Sequence, residues 1–235
     1  MAKRVVLVKH EGSPRDDRAA IWLARQGFEL HWRSPYAGDG LEVPDDSVAG
    51  TVLYGGPQGI PEIDRHPFLA EEARWVERCL RRDIPVLGLC LGGQIVAHAL
   101  GAAVGPGPDG LHEFGYYELF PTDAGRAVIP EGLVVTQAHF HEFAVPEGAE
   151  LLAKSELYRH QAFRYDGNAF AFQFHPEITG EGFRRWQDAD WAPWGEPGVQ
   201  TREEQDTHAA AHDPAQHDWF VGFLEQLFGR PDSGG

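Results

Sequence analysis

The sequence predicts an α/β fold, a three-layer sandwich in which helices cover both faces of a mostly parallel sheet. Up to residue 101, short apolar runs alternate with segments of helical periodicity, which is typical of a parallel sheet covered on both sides. Between residues 115 and 174, short strand patterns follow one another with turn signals between them. This second part predicts an antiparallel portion of the sheet.

The predicted elements follow from the changes in hydrophobic period. The run RVVLV predicts a buried first strand, and DRAAIWLARQ has the spacing of a helix that ends at Gly27. PFLAEEARWVERCLRR predicts a long amphipathic helix with proline in its first turn. The predicted strands are residues 4–8, 28–32, 48–54, 86–87, 115–120, 133–137, 150–155, 161–165 and 169–174, and the predicted helices are residues 17–26, 67–82, 94–100, 180–187 and 216–228.

The chain length and the lack of a long linker predict one domain over residues 1–235. Residues 188–213 are polar and contain tryptophans, so we expect an irregular insert there. The tail at 230–235, which includes PDSGG, is expected to be frayed.

Composition and charge exclude several classes of partner. The formal net charge of −16 repels nucleic acid and anionic membranes, and no basic cluster offers a path for phosphates, so we expect neither partner. No apolar run is long enough to span a membrane, and the apolar patch in MAKRVVLVKHEG is too short for a signal peptide. Two cysteines cannot form a disulfide framework, which favours the reducing cytoplasm.

Cys90 lies in the stretch PVLGLCLGGQ, at the predicted turn from a strand into a helix. Gly88 and Gly92 stand two positions to either side, which is the spacing of a nucleophile elbow with cysteine in the place of serine. Glycines avoid collisions at such a strained turn, and the helix N-terminus favours a thiolate. A cysteine buried in a packing contact is the alternative, and Cys79 on its amphipathic helix fits that description.

Two further segments supply groups that a cysteine nucleophile needs. FQFHPE delivers His175 at the end of an aromatic strand, and Glu177 follows two residues later as a carboxylate that orients the imidazole. YGGP ends another predicted strand, so Gly56 is expected at the same carboxyl edge of the sheet as Cys90. The backbone N–H groups of Gly56 and Leu91 form the predicted oxyanion hole.

Together, YGGP, GLCLGGQ and QFHPE resemble the class I glutamine amidotransferases, in the same order and over about residues 3–180. That family has a flavodoxin-like fold and a Cys–His–Glu triad. The resemblance implies Cys90 as nucleophile, His175 as acid and base, and Glu177 as the group that orients His175. It also implies that glutamine is the substrate and that neither a metal nor another cofactor is required.

Finer features resemble the stand-alone branch related to the glutaminase domain of GMP synthase. They are the segments HEFGY, AHFHEFAVP and QAF, although His141 stands where that branch usually has aspartate. This resemblance implies that Gln94, His139 and Phe143 line the substrate pocket. Because the chain has no P-loop or other ATP-binding motif, the implied ammonia acceptor is a separate ATP-dependent synthetase chain. Formation of a homo-oligomer stays open.

Other functions also stay open at this level. An uncoupled γ-glutamyl hydrolase or peptidase would use the same triad on γ-glutamyl amines or conjugates, and a non-catalytic binding module would keep only the pocket. A different family with a cysteine elbow would leave the HPE segment unexplained.

Three further groupings of histidines and tryptophans have more than one interpretation. Two histidine groups have spacings found at metal sites, but a substrate pocket already accounts for most of the first group and a solvated segment for the second. The tryptophans either shield the rim of the active site, form a contact between copies of the chain or pack in the insert. These residues are His139, His141 and His175; His208, His212 and His217; and Trp186, Trp191 and Trp194.

Overall fold

The computed structural model describes residues 3–10 and 15–229, and strands alternate with helices in the first half of the chain. The strands are β1 (Arg4–Val8), β2 (Glu29–Arg33), β3 (Val48–Leu53), β4 (Val86–Leu89), β5 (Val104–Pro106), β6 (Glu113–Glu118), β7 (Phe120–Pro121), β8 (Val134–His139), β9 (His141–Phe143), β10 (Glu150–Lys154), β11 (Ala162–Tyr165) and β12 (Ala169–Phe172). The α-helices are α1 (Arg18–Gln26), α2 (Pro67–Leu80), α3 (Leu91–Ala99), α4 (Gly180–Gln187) and α5 (Arg202–Phe228). The predicted frayed tail at 230–235 lies outside the described residues.

Eight of these strands form the central sheet, in the order β2-β1-β3-β4-β12-β11-β10-β7. The pairs from β2 to β12 are parallel, whereas the pairs from β12 to β7 are antiparallel. Leu53 pairs with Gly88, and Leu89 pairs with Phe172. Because β3, β4 and β12 are adjacent and parallel, the segments that follow them meet at one edge of the sheet.

Helices cover both faces of this sheet, as the alternation along β1 demonstrates. Val5 and Leu7 point into one hydrophobic cluster, which includes side chains of α1 and α5. Val6 and Val8 point into the other cluster, which includes side chains of α2 and α3. Successive side chains of a strand face opposite sides of the sheet, so β1 contributes to both layers. The predicted three-layer α/β sandwich is confirmed.

The later strands divide between the central sheet and smaller sheets. Strands β10, β11 and β12 form the predicted antiparallel portion, whereas β6 and β8 pair with each other in a separate two-stranded sheet. On β8, the backbone N–H of Thr136 donates to Gln216 of α5 at 2.6 Å, and the Gln216 amide donates back to the Thr136 hydroxyl at 3.0 Å. Helix α5 therefore holds β8 in place.

The expectation of an irregular chain up to residue 213 is wrong for its second half, because α5 begins at Arg202. Thr201 caps this helix in a reciprocal capping box with Glu204. Pro214 lies inside the helix, and the residues before it are polar. Hydrophobic periodicity therefore did not predict a helix there. Among the described residues, no helix combines the length and the apolar character needed to cross a membrane.

Candidate active site

Cys90 connects β4 to α3 through a strained backbone. Its φ of 53° and ψ of −111° are unusual for a residue with a side chain. A Cβ atom on Gly88 would lie 2.5 Å from the carbonyl oxygen of Gly92, and one on Gly92 would lie 2.0 Å from the carbonyl oxygen of Leu53. The two glycines therefore make room for neighbouring backbone. The turn also places the thiol at the N-terminus of α3, where the helix dipole favours negative charge.

His175 follows β12 and lies beside Cys90. Its backbone N–H donates to the carbonyl of Thr136 at 2.8 Å, and its Nδ1–H donates to Glu177 Oε1 at 2.8 Å. That tautomer leaves Nε2 for the thiol, and Cys90 lies close enough to His175 to act on its pKa. Trp186 packs edge-on against the imidazole, with ring centroids 4.8 Å apart. The structure thus brings together the three residues predicted for the triad.

The charges around His175 favour its protonated form. Burial acts to lower the pKa of His175, but the negative charges of Glu177 and Cys90 and their hydrogen bonds outweigh burial and raise the pKa to about 10. An imidazolium is therefore expected at neutral pH. It stabilises a thiolate on Cys90, which is the nucleophilic form of a cysteine.

Gly55 and Gly56 follow β3 and lie against the same group of residues. A Cβ atom on Gly55 would be 2.7 Å from His175 Cε1 and 3.4 Å from Cys90 Cβ. The N–H of Gly92 donates to the carbonyl of Tyr54 at 3.1 Å, which joins this loop to the elbow. Gly56 and Leu91, the predicted oxyanion donors, therefore lie on two segments that border Cys90. Their contact with a substrate oxygen stays a prediction.

Two buried glutamines lie near the thiol, and only Gln94 was predicted from the sequence. Gln94 on α3 is 3% exposed and donates to Gln173 Oε1 at 3.3 Å. Gln173 in turn lies with its Nε2 3.7 Å from Cys90 Sγ, a contact that stabilises negative charge on sulfur. Gln173 stands two residues before His175, so along the extended chain both side chains face the same way. A polar residue in that position of an aromatic run was a usable signal.

His139 and Phe143, the other predicted pocket residues, are both buried. Nε2 of His139 is 2.9 Å from Glu113 Oε2, and its Nδ1 is 3.0 Å from the carbonyl oxygen of His141. The ring of Phe143 packs edge-on against Phe163 in the core. The predicted contacts of His139 and Phe143 with substrate stay predictions.

The β8 segment contacts the thiol through its backbone. The carbonyl oxygen of Ala138, the residue before His139, lies 3.9 Å from Cys90 Sγ. The segment predicted to line the pocket is therefore next to the nucleophile, although the His139 ring is engaged elsewhere.

Residues at the start of α1, which were not predicted from the sequence, contact the segments that carry Glu177 and the glycine loop. The backbone N–H of Arg18 donates to the carbonyl of Glu177 at 2.8 Å, and its guanidinium pairs with Asp213 of α5 at 2.7 Å. Asp17 caps α1 and accepts a hydrogen bond from the Tyr54 hydroxyl at 2.9 Å. Burial, together with the nearby charge of Glu177, outweighs the hydrogen bonds and raises the pKa of Asp17 to about 6.

The remaining histidines and tryptophans lie as follows. In the described part of the chain, no three His, Cys, Asp or Glu side chains are grouped to hold a metal ion. His208 and His212 stack on α5 with ring centroids 5.7 Å apart. Trp191, which is 57% exposed, packs against Trp186, so these rings lead from His175 to the surface.

Fold and site together define a class of protein. A cysteine elbow, a histidine–glutamate pair and a glycine loop meet at the carboxyl edge of a mostly parallel sheet, and the family model for class I glutamine amidotransferases matches residues 28–185. The chain belongs to this family.

Relatives and solved structures agree with this assignment. The glutamine amidotransferase-like protein YfeJ of Salmonella typhimurium is 30% identical over 187 residues, 76% of this chain and 77% of the relative. A glutamine-hydrolysing GMP synthase subunit from Ignicoccus hospitalis is 32% identical over 66% of this chain and 79% of the relative. A crystal structure of a glutamine amidotransferase from Thermotoga maritima has a TM-score of 0.86 and 28% identity, and the match covers 97% of this chain and 99% of that one.

Longer proteins also match over part of their length. The chain is 30% identical to the GMP synthase of Cytophaga hutchinsonii over 57% of its own length, but it spans only 26% of that relative.

Proposed function

We propose that the chain hydrolyses the side-chain amide of glutamine through a thioester on Cys90, giving glutamate and ammonia. The observation that carries this proposal is that Cys90, His175 and Glu177 meet beside a glycine loop, with the imidazole of His175 hydrogen-bonded to Glu177. Membership of the class I glutamine amidotransferases and the names of the relatives support glutamine as the substrate.

The first half of the reaction forms the thioester. The Cys90 thiolate attacks the side-chain amide carbon of glutamine, and the carbonyl electrons move onto oxygen. The N–H groups of Gly56 and Leu91 stabilise this oxyanion, an effect worth several kcal/mol of barrier for such donor pairs. The imidazolium of His175 then gives its proton to the amide nitrogen, the C–N bond breaks, and ammonia leaves.

The second half releases glutamate. Neutral His175 takes a proton from water, and the resulting hydroxide attacks the thioester carbon. The C–S bond breaks and returns the thiolate, while His175 is again an imidazolium beside it. Glu177 accepts the Nδ1–H bond throughout, which keeps Nε2 directed at the reacting atoms.

The ammonia requires an acceptor, which we place on a separate ATP-dependent synthetase chain. The support is the relative from Ignicoccus hospitalis, which is named as one subunit of a GMP synthase and most of whose length this chain matches. The much longer GMP synthases, of which the chain matches only about a quarter, agree with this division.

A second candidate, an uncoupled γ-glutamyl hydrolase, is favoured by one observation. Trp186 packs on His175, and the exposed Trp191 packs on Trp186 with centroids 6.0 Å apart. An aromatic surface that begins at the histidine suits a larger amine as the leaving group.

The two candidates are separated by turnover assays on the purified chain. Glutamine and a panel of γ-glutamyl amines are the substrates, and release of glutamate and of ammonia or amine is measured. Cys90→Ala should abolish turnover. Cys79→Ala is the matched control, because burial raises the pKa of that thiol to about 12 and keeps it unreactive.

Each outcome has a distinct meaning. Glutamine turnover that survives Cys79→Ala but not Cys90→Ala supports the glutaminase. Cleavage of γ-glutamyl amines with no glutamine turnover would replace it with the hydrolase. A chain that turns over nothing, and whose Cys90 is not labelled by an electrophilic glutamine analogue, is a binding module.

A further inference from the structure

His10 and Glu72 form a buried pair outside the proposed triad. His10 lies two residues after the end of β1, and Glu72 lies on α2. Nε2 of His10 is 2.9 Å from Glu72 Oε2, and both side chains are fully buried. The other oxygen of Glu72, Oε1, has no hydrogen-bond partner among the described residues. The carboxyl group thus has one recognised role, which is to hold the imidazole of His10.

The other side of the same imidazole contacts the glycine loop. Nδ1 of His10 is 3.3 Å from the carbonyl oxygen of Gly55. A Cβ atom on Gly56 would lie 2.6 Å from His10 Cβ, so the loop packs directly on this residue. A carbonyl oxygen only accepts hydrogen bonds, so the contact requires that Nδ1 carries the hydrogen.

The direction of the Gly56 N–H follows from the planarity of the peptide bond. The described residues contain no cis peptide, so the C=O of Gly55 and the N–H of Gly56 point in opposite directions. Because His10 holds the oxygen, this N–H points away from His10. A Cβ atom on Gly55 would lie 2.7 Å from His175 Cε1 and 3.4 Å from Cys90 Cβ, so the loop also borders the place where an oxyanion would form.

Two successive carbonyl groups of the loop are therefore fixed. The oxygen of Tyr54 is held by the backbone N–H of Gly92, and the oxygen of Gly55 is held by His10. Only the second contact depends on a side chain, so it is the one that substitution can remove.

We propose that the His10–Glu72 pair positions the oxyanion hole by fixing the Gly55–Gly56 peptide with its N–H toward Cys90. The inference rests on the proposed hydrolysis through Cys90. His10 touches no reacting atom and acts through the backbone, so it is a positioning residue. Because the oxyanion exists only near the transition state, His10 is expected to affect kcat and not substrate binding.

The test compares His10→Asn with His10→Leu. Both variants break the contact with Glu72 and are expected to lose similar stability. Asparagine places an amide N–H near the position of Nδ1 and retains a donor to the Gly55 oxygen, whereas leucine retains none. We expect kcat for glutamine to fall about 10- to 100-fold in His10→Leu, while KM stays nearly unchanged. This loss is smaller than the loss expected when an oxyanion donor is removed altogether. His10→Asn should retain most of kcat.

Val76→Ala is the matched control for loss of stability, because Val76 is a fully buried core residue on the same helix as Glu72. It should lower the melting temperature and leave kcat unchanged. Equal kcat values in the asparagine and leucine variants would overturn the proposal, and so would a change confined to KM.

A crystal structure of His10→Leu gives a readout that does not depend on activity. We expect the Gly55 carbonyl to leave its present direction in that variant, whereas an unchanged peptide would overturn the inference. An inactive wild type would count against the proposed hydrolysis alone, since the peptide orientation is measured separately.

Discussion

Two buried histidine–glutamate pairs lie near Cys90 and differ in their surroundings. The pairs His175–Glu177 and His139–Glu113 have nearly equal nitrogen–oxygen distances, 2.8 Å and 2.9 Å. Glu113 also accepts hydrogen bonds from Ser155 at 2.5 Å and from Gln161 at 2.6 Å. Glu177, by contrast, leaves Oε2 without a partner among the described residues.

The outward nitrogens of the two imidazoles differ in the same way. Nδ1 of His139 lies at the backbone carbonyl of His141, whereas the second nitrogen of His175 is close to the ionisable thiol of Cys90. The network around Glu113, in which the polar groups have hydrogen-bond partners, is expected to be rigid. The pair His175–Glu177 lies beside an ionisable thiol, so it has a group with which to exchange a proton. Burial and distance are alike in the two pairs, so the groups that contact each pair make the difference between the proposed catalytic pair and the structural one.

Of the substitutions in these two pairs, removal of His175 is expected to have the largest effect. His175→Ala deletes both the acid and the base, and we expect kcat to fall about 10⁴-fold or more. Glutamate release from glutamine measures the loss, and a thermal melt verifies that the variant is folded. A folded variant that retains more than a tenth of the wild-type rate would remove His175 from the mechanism.

Glu177→Ala should have the next largest effect, about 10³-fold in kcat, because Trp186 still supports the ring after the carboxylate is lost. The pH profile should change as well. Glu177 is the strongest of the groups that raise the pKa of His175, so His175 should lose its proton at lower pH and the alkaline fall in activity should begin earlier. An alkaline limb that does not move would contradict this account of the raised pKa.

Glu113→Ala is expected to affect stability more than chemistry. It removes the buried carboxylate that holds His139, Ser155 and Gln161, and breaking such a buried pair costs about 3–5 kcal/mol. Urea unfolding measures this loss, while kcat of the folded fraction should stay within a few-fold.

A matched variant is Glu150→Ala, which breaks an exposed ion pair with Arg164 and should cost less than about 1 kcal/mol. If both variants lost the same stability, the network around Glu113 would not have the structural role assigned to it.

Asp17→Asn should have a smaller effect than Glu113→Ala and is expected to stabilise the protein. Burial raises the pKa of Asp17 from 3.8 to about 6, so the folded state holds this proton better than the unfolded chain does. The contribution of Asp17 to stability is therefore present below pH 4 and is lost as the pH rises through 6. Asparagine retains a helix cap without the charge, and the gain over wild type should grow between pH 4 and 7 to at most about 3 kcal/mol.

Urea unfolding of wild type and Asp17→Asn at pH 4 and pH 7 measures this difference. A gain that is the same at both pH values would show that the carboxylate charge is not its source.

The sequence predicted most of the sheet and which residues meet in the proposed triad, because each motif follows a strand of the parallel portion. Local patterns locate such strand ends, and the parallel arrangement then brings Cys90 and His175 together. The start of α5 was missed because its capping box precedes polar residues and a proline.

The supporting contacts could not be predicted in this way. His10 and Glu72 are 62 positions apart, and Gln173 contacts the thiol across 83 positions. A pattern of neighbouring residues carries no information about such distant pairs. Gln173 was not predicted, and its contact with the thiol became evident only in the folded chain.

The family model ends at residue 185, yet α5 begins only at Arg202 and still influences the histidine. Gln216 on that helix holds Thr136, and the carbonyl of Thr136 accepts the backbone N–H of His175. A substitution on the last helix can therefore adjust the imidazole without altering any motif. For protein engineering, Gln216 offers a way to adjust the position of His175 through the backbone of β8.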